Sequence, residues 1–171
     1  MMVKWLKKTK IPVLGRRGPR RPLKMKRSRF FPPVCNCQMS VDKIWKLCVD
    51  AAVLANKALG QGQSEKAYES VIADTLYQQR MPVMRQVKYF STVHNSIHET
   101  GIVDLEVDQQ VIVELKAGYN NITDDHKIQA KRYLRSAEMK YEDKTLICGV
   151  ILFTKEGGVK TWRMKTIEKN L

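Results

Sequence analysis

The sequence predicts an α/β (α+β) domain, a mixed β-sheet flanked by helices, behind an irregular basic N-terminal tail. Three observations predict it. Apolar residues recur at helical spacing in two successive segments after residue 40. Five short apolar or alternating runs follow, with one further helical segment between the third and the fourth. The charge is segregated: of 31 Lys and Arg, 12 fall in residues 1–41, which hold no acid, so the rest carries 19 bases against 17 acids.

Residues 1–40 contain prolines at 12, 19, 22, 32 and 33 and glycines at 15 and 18, which break any long helix. Basic clusters alternate with Trp5, Phe30 and Phe31. Such a segment is expected to lack structure alone in water. A helix then starts near Ser40 or Asp42, either of which can cap it. Ile44, Leu47, Cys48, Ala51, Ala52, Ala55 and Ala58 share one face, and Gly60 and Gly62 end the helix. Ser64 caps a second helix over 65–79, with Tyr68, Val71, Ile72 and Leu76 inward. Glu65 lies on that inward side, where an acid calls for a capping role, a macrodipole role or a metal. Pro82 stops the helix, and residues 83–93 read as a strand. Residues 94–100 read as a polar connection, and 101–107 and 111–117 as strands. A third helix is expected over 124–140, inward at Ala130, Tyr133, Leu134, Ala137 and Tyr141. An apolar strand at 146–153, a Gly157-Gly158 turn and a return at 159–163 complete the order α-α-β-β-β-α-β-β. No internal repeat is evident. Two domains are therefore expected, the tail over 1–40 and a folded domain over 41–171.

The apolar fraction of 43% suffices for one core. No run is long enough to span a bilayer, so no membrane partner is expected, and no secretory signal is evident. Of four cysteines, Cys35 and Cys37 lack the second pair a zinc site needs, and Cys48 and Cys148 sit in apolar stretches. Reduced intracellular thiols are the expectation. The tail, with Arg16, Arg17, Arg20, Arg21, Lys24, Lys26, Arg27 and Arg29, suits salt-sensitive binding to nucleic acid. It also fits a mitochondrial or nuclear address, although it is poor in Ser and rich in Pro for a transit helix.

Glu114 and Lys116 stand two apart on one strand, and Asp104 lies on the strand before. Residues of equal parity share a face, so Ile112, Glu114 and Lys116 point one way and Val111, Val113 and Leu115 the other. Asp104 is expected opposite Val103 and Leu105. A three-residue loop, Asp108-Gln109-Gln110, sets Asp104 across from Glu114, whereas a two-residue loop would split the acids between faces. We expect the odd register. Convergent carboxylates suit Mg2+ or Mn2+, and a neighbouring lysine can orient a water or neutralise charge on phosphate. Facing acids without a metal should raise each other's pKa. Taken alone, an acid and a lysine on a strand fit a solvated face with a weak ion pair equally well.

The remaining motifs favour a site. Gly62-Gln63-Ser64-Glu65-Lys66-Ala67-Tyr68 has the form G-x-x-E-x-x-Y. It precedes Ile102-Val103-Asp104-Leu105, Val113-Glu114-Leu115-Lys116 and the Gln129…Tyr133 spacing Q-x-x-x-Y. Over residues 41–165 the chain resembles the GxxExxY proteins of the PD-(D/E)XK nuclease superfamily. The resemblance implies a restriction-endonuclease-like core and hydrolysis of DNA or RNA phosphodiesters with Mg2+ or Mn2+. It implies that Glu65, Asp104 and Glu114 bind metal, that Lys116 is catalytic, and that Gln129 and Tyr133 face substrate or brace Lys116. Val103 stands where the superfamily name has proline, Gln61 where the family often has one, and residues 148–153 match the closing strand only loosely. His94 and His98 decorate a loop. His126 opens a helix as a cap or surface residue within reach of phosphate. The alternative function is a non-catalytic component of a ribonucleoprotein assembly, ribosome-like and mitochondrial in one version, using the fold as scaffold and the tail to contact RNA.

Overall fold

The computed structural model describes residues 39–166, all within the compact unit Gln38–Leu171. The tail residues named above, Cys35 and Cys37 lie outside the described residues. The elements are α1 (Val41–Leu59), α2 (Glu65–Gln78), β1 (Val83–Val93), β2 (Ser96–Val107), β3 (Val111–Tyr119), α3 (Asp124–Lys140), β4 (Ile147–Thr154) and β5 (Val159–Lys165). The order is the one expected. The five strands form one sheet in sequence order, antiparallel except for the parallel β3–β4 pair that α3 connects.

Helices cover both faces of the sheet centre. Alternation divides the core: Val111, Val113, Leu115, Ile147, Ile151 and Phe153 pack with α1 and α2, while Ile112, Cys148 and Val150 pack with α3. β4, central and buried at every position, is accordingly an unbroken apolar run. Cys48 and Cys148 are free thiols within these two clusters. Trp45, not expected inward, crosses Gly149, where any Cβ would lie 2.3 Å from the indole; Ala58, expected inward, is exposed. Ser40 takes the N-cap position without a side-chain bond, and Asp42, the other candidate cap, pairs with Arg163 and Lys165 of β5.

Two expectations are corrected. Residues 96–100 are strand, not a polar connection, and only His94-Asn95 turn, both with positive φ. This end of the hairpin projects with both faces wet, so it carries no apolar alternation for a sequence reading to detect. Its register slips once, between Tyr89 and Phe90, opposite Gly101. The second correction is that Val103 and Leu105 do not share a face. Leu105 packs with α1 and α2, Val103 with α3, and on β1 Val83 and Val87 divide the same way. The hairpin rolls over between those residues, at Gln86 and Asp104, where Gln86 has φ +52°.

Candidate active site

β2 and β3 pair as Val107–Val111, Glu106–Ile112 and Leu105–Val113, joined by the three-residue loop, and then separate. That is the odd register, and it brings Asp104 to the point of separation opposite Glu114. Beyond it, the β3 amides that would have faced β2 need new acceptors. The Leu115 amide donates to Asp104 Oδ2 at 2.7 Å, and the Ala117 amide to Glu65 Oε1 at 3.0 Å. Two carboxylates thus cap successive outward N–H groups of one strand. On the α3 side Lys116 Nζ donates to Glu114 Oε1 at 2.6 Å, while Glu114 Oε2 is buried without a partner.

The G-x-x-E-x-x-Y segment sets Glu65 in this notch. Gly60 and Gly62 take positive φ, and Ser64 caps α2 by accepting from the Ala67 amide. Tyr68 Oη ties the loop by donating to the Gly60 carbonyl at 2.6 Å, and its ring stacks on Phe153 at 3.7 Å. Glu65 is therefore the first residue of a pinned helix. On the opposite wall, Tyr133 Oη donates to the Ile102 carbonyl at 3.0 Å and accepts from Gln129 Nε2 at 3.1 Å. The pair braces β2 where it has left β3; among the described residues neither bonds Lys116. Gly101 lies against this hydroxyl, and a Cβ there would meet it at 2.8 Å.

Burial and the Asp104 charge, opposed by Lys116, push the Glu114 carboxyl up to about 7. Burial also raises Asp104, against the Leu115 and Gln86 hydrogen bonds. Burial alone would lower Lys116, but Glu114, Glu65 and Asp104 outweigh it and hold the amine above its ordinary value. Lys116 is thus an ammonium at neutral pH, suited to stabilising negative charge rather than to taking a proton. His126 closes the α3 capping box with Thr123, and Tyr119 packs edge-on to its ring. Burial and the Lys116 charge lower it.

The acids meet at one notch but do not close on one point. Among the described residues no three His, Cys, Asp or Glu side chains are grouped to hold an ion. Their chemistry nevertheless fits a hard divalent cation: all donors are carboxylate oxygens, and Glu114 Oε2 is a buried acceptor with no hydrogen-bond donor.

Residues 42–148, more than half of the chain, match the family model of the PD-(D/E)XK nuclease superfamily. The chain belongs to the PD-(D/E)XK nuclease superfamily. The restriction-endonuclease-like fold expected from sequence is the fold found, a mixed sheet with helices on both faces. The superfamily match ends at Cys148, just inside β4, where the sequence resemblance also loosens. No curated protein and no solved structure matches the chain significantly.

Three residues beside Glu65 and Asp104 are not singled out by sequence. Glu69, one turn after Glu65, is buried and accepts from Arg85 Nε and Gln86 Nε2, each at 2.6 Å. Gln86 Nε2 also reaches Asp104 Oδ1 at 3.2 Å. The signal was available: Glu69 lies on the same inward stripe as Tyr68 and Ile72, where a second acid needs a partner.

Proposed function

We propose that this chain is a metal-dependent nuclease of the GxxExxY type, hydrolysing phosphodiester bonds of DNA or RNA. The observation that carries the reading is the notch itself, where Asp104 and Glu65 cap successive β3 amides beside the buried Glu114–Lys116 pair. Glu65, Asp104 and Glu114 would hold Mg2+ or Mn2+ through oxygens the β3 amides and Lys116 leave over. When bound, such an ion supplies Lewis-acid activation of phosphate and of water. The chain's own part is electrostatic. Lys116, tethered by Glu114 and largely buried, presents a fixed ammonium to the charge that gathers on phosphorus oxygens during attack. Gln129 and Tyr133 keep the far wall of the notch open by bracing β2.

The basic tail would hold the nucleic acid strand through phosphate contacts, and that binding should weaken steeply with salt. No helix among the described residues is long and apolar enough to cross a membrane. The test is cleavage of single- and double-stranded DNA and RNA with Mg2+ or Mn2+ against EDTA. Wild type should cut only with the metal, and Asp104→Ala and Lys116→Ala should each lower the rate by about a hundredfold or more. Cleavage that survives both substitutions rules the site out. The composition of the tail also favours a scaffold role in a ribonucleoprotein assembly. Tight RNA binding by a protein that cuts none of the substrates would select that role.

A further inference from the structure

Adjacent side chains on a strand point to opposite faces. Arg85 and Gln86 nevertheless both reach the Glu69 carboxylate on α2, one on each oxygen. The left-handed conformation of Gln86, φ +52°, makes this convergence attainable. A non-glycine residue held there is strained, and neighbouring contacts must sustain it. Arg85 pairs with Leu105 and Val87 with Val103, which sets Gln86 directly across from Asp104. The Gln86 amide has two hydrogens and two carboxylates to give them to, Glu69 at 2.6 Å and Asp104 at 3.2 Å. Glu69 itself is 3% exposed at the side chain, with Arg85 as its compensating cation. α2 therefore governs both acids that cap β3, Glu65 directly and Asp104 at second hand.

We propose that Glu69 is a positioning residue for the nuclease site, acting through the Gln86 amide to fix the Asp104 carboxylate. The inference rests on the nuclease reading for its catalytic consequence, but its structural part does not. With Oδ1 steadied by Gln86 and Oδ2 by the Leu115 amide, the carboxylate plane of Asp104 is set before any ligand arrives. Removal of such an outer partner costs roughly ten- to a hundredfold in metal affinity or activity in metalloenzymes.

The Leu115 amide reports the position of Asp104 in the metal-free full-length protein, and the Ala117 amide, bonded to Glu65, is the internal control. Hydrogen exchange by NMR is measured on wild type, Gln86→Ala and Glu69→Gln. Gln86→Ala leaves the Glu69–Arg85 ion pair intact, so it keeps the question open to test even where Glu69→Gln folds poorly. In Gln86→Ala, and in Glu69→Gln where it folds, Leu115 should exchange about tenfold faster, the loss of one hydrogen bond's worth of restraint, with Ala117 unchanged. In cleavage assays the half-saturating Mn2+ concentration should rise about tenfold with KM for nucleic acid unaltered. Unchanged Leu115 exchange overturns the proposal. So does a joint rise at Leu115 and Ala117 that tracks global unfolding, which would make the network only a brace between α2 and β1. A wild-type protein that cuts nothing defeats the nuclease reading, while the exchange result still decides whether Glu69 positions Asp104.

Discussion

Glu114 offers a quantitative handle on the site. Its carboxyl moves from an ordinary 4.5 to about 7 in the folded protein, through burial first and the Asp104 charge second. The folded state thus holds this proton more tightly than the unfolded chain does. The resulting stability is fully present below pH 4.5 and is lost as pH climbs through 7. A displacement of that size corresponds to about 3 kcal/mol. The side chain is only 4% exposed, so little of this is screened by solvent. Glu114→Gln carries a neutral amide at every pH and lacks this step. Urea denaturation from pH 4.5 to 8.5 in EDTA should show wild type losing about 3 kcal/mol more than Glu114→Gln, or roughly 10 °C in Tm. Saturating Mg2+ favours the ionised acids and should return stability to wild type at pH 8 but not to the variant. Superimposable pH profiles for the two proteins would refute the reasoning, because Glu114 would then titrate alike in folded and unfolded states.

Two further substitutions test the supports of the notch. Gly101→Ala puts a methyl group 2.8 Å from Tyr133 Oη at φ +148°, so it should destabilise by about 2 kcal/mol and disturb the Tyr133–Ile102 bond. Chemical denaturation reads the first effect, and the second predicts a fall in cleavage that Tyr133→Phe reproduces. Glu106→Ala should cost about 3 kcal/mol in the same denaturation assay. It strands the Tyr89 and Tyr141 hydroxyls and Lys140 Nζ, all of which converge on a carboxylate that is fully buried.

Long elements with one buried face were legible because burial writes their period into the sequence. α1 is of this kind, β3 and β4 were legible instead as apolar runs buried on both faces, and the odd β2–β3 register followed from a three-residue loop and side-chain parity. The outer end of the hairpin was not legible, since a strand wet on both faces has no period to read. The roll at Gln86 was hidden for a different reason. Nothing in Arg85-Gln86-Val87 announces a positive φ; it arises because two neighbouring side chains share one buried acid on a distant helix. Glu65, Asp104, Glu114 and Lys116 could be named from spacing and resemblance. Their anchoring by β3 amides could not, because it depends on where β2 stops pairing.

That stopping point links the fold to its chemistry. An antiparallel pair that ends inside a protein leaves alternate N–H groups of the continuing strand unsatisfied, and burying them unpaired would cost about 1–3 kcal/mol each. Carboxylates are strong acceptors for such donors, because the bond is charge-assisted. Asp104 and Glu65 fill this structural need at Leu115 and Ala117. Each does so with one oxygen, and the Gln86 amide holds the other Asp104 oxygen at the rim of the notch. The same bonds hold the two acids in place and keep them from being drawn fully together, consistent with acids that share one notch without forming a closed ligand set. Glu114 differs: β3 is its own strand, its second oxygen has no donor, and its carboxyl is the one driven up to about 7. Of the three acids, the one with a buried oxygen that no donor reaches is therefore the one with most to gain from a cation.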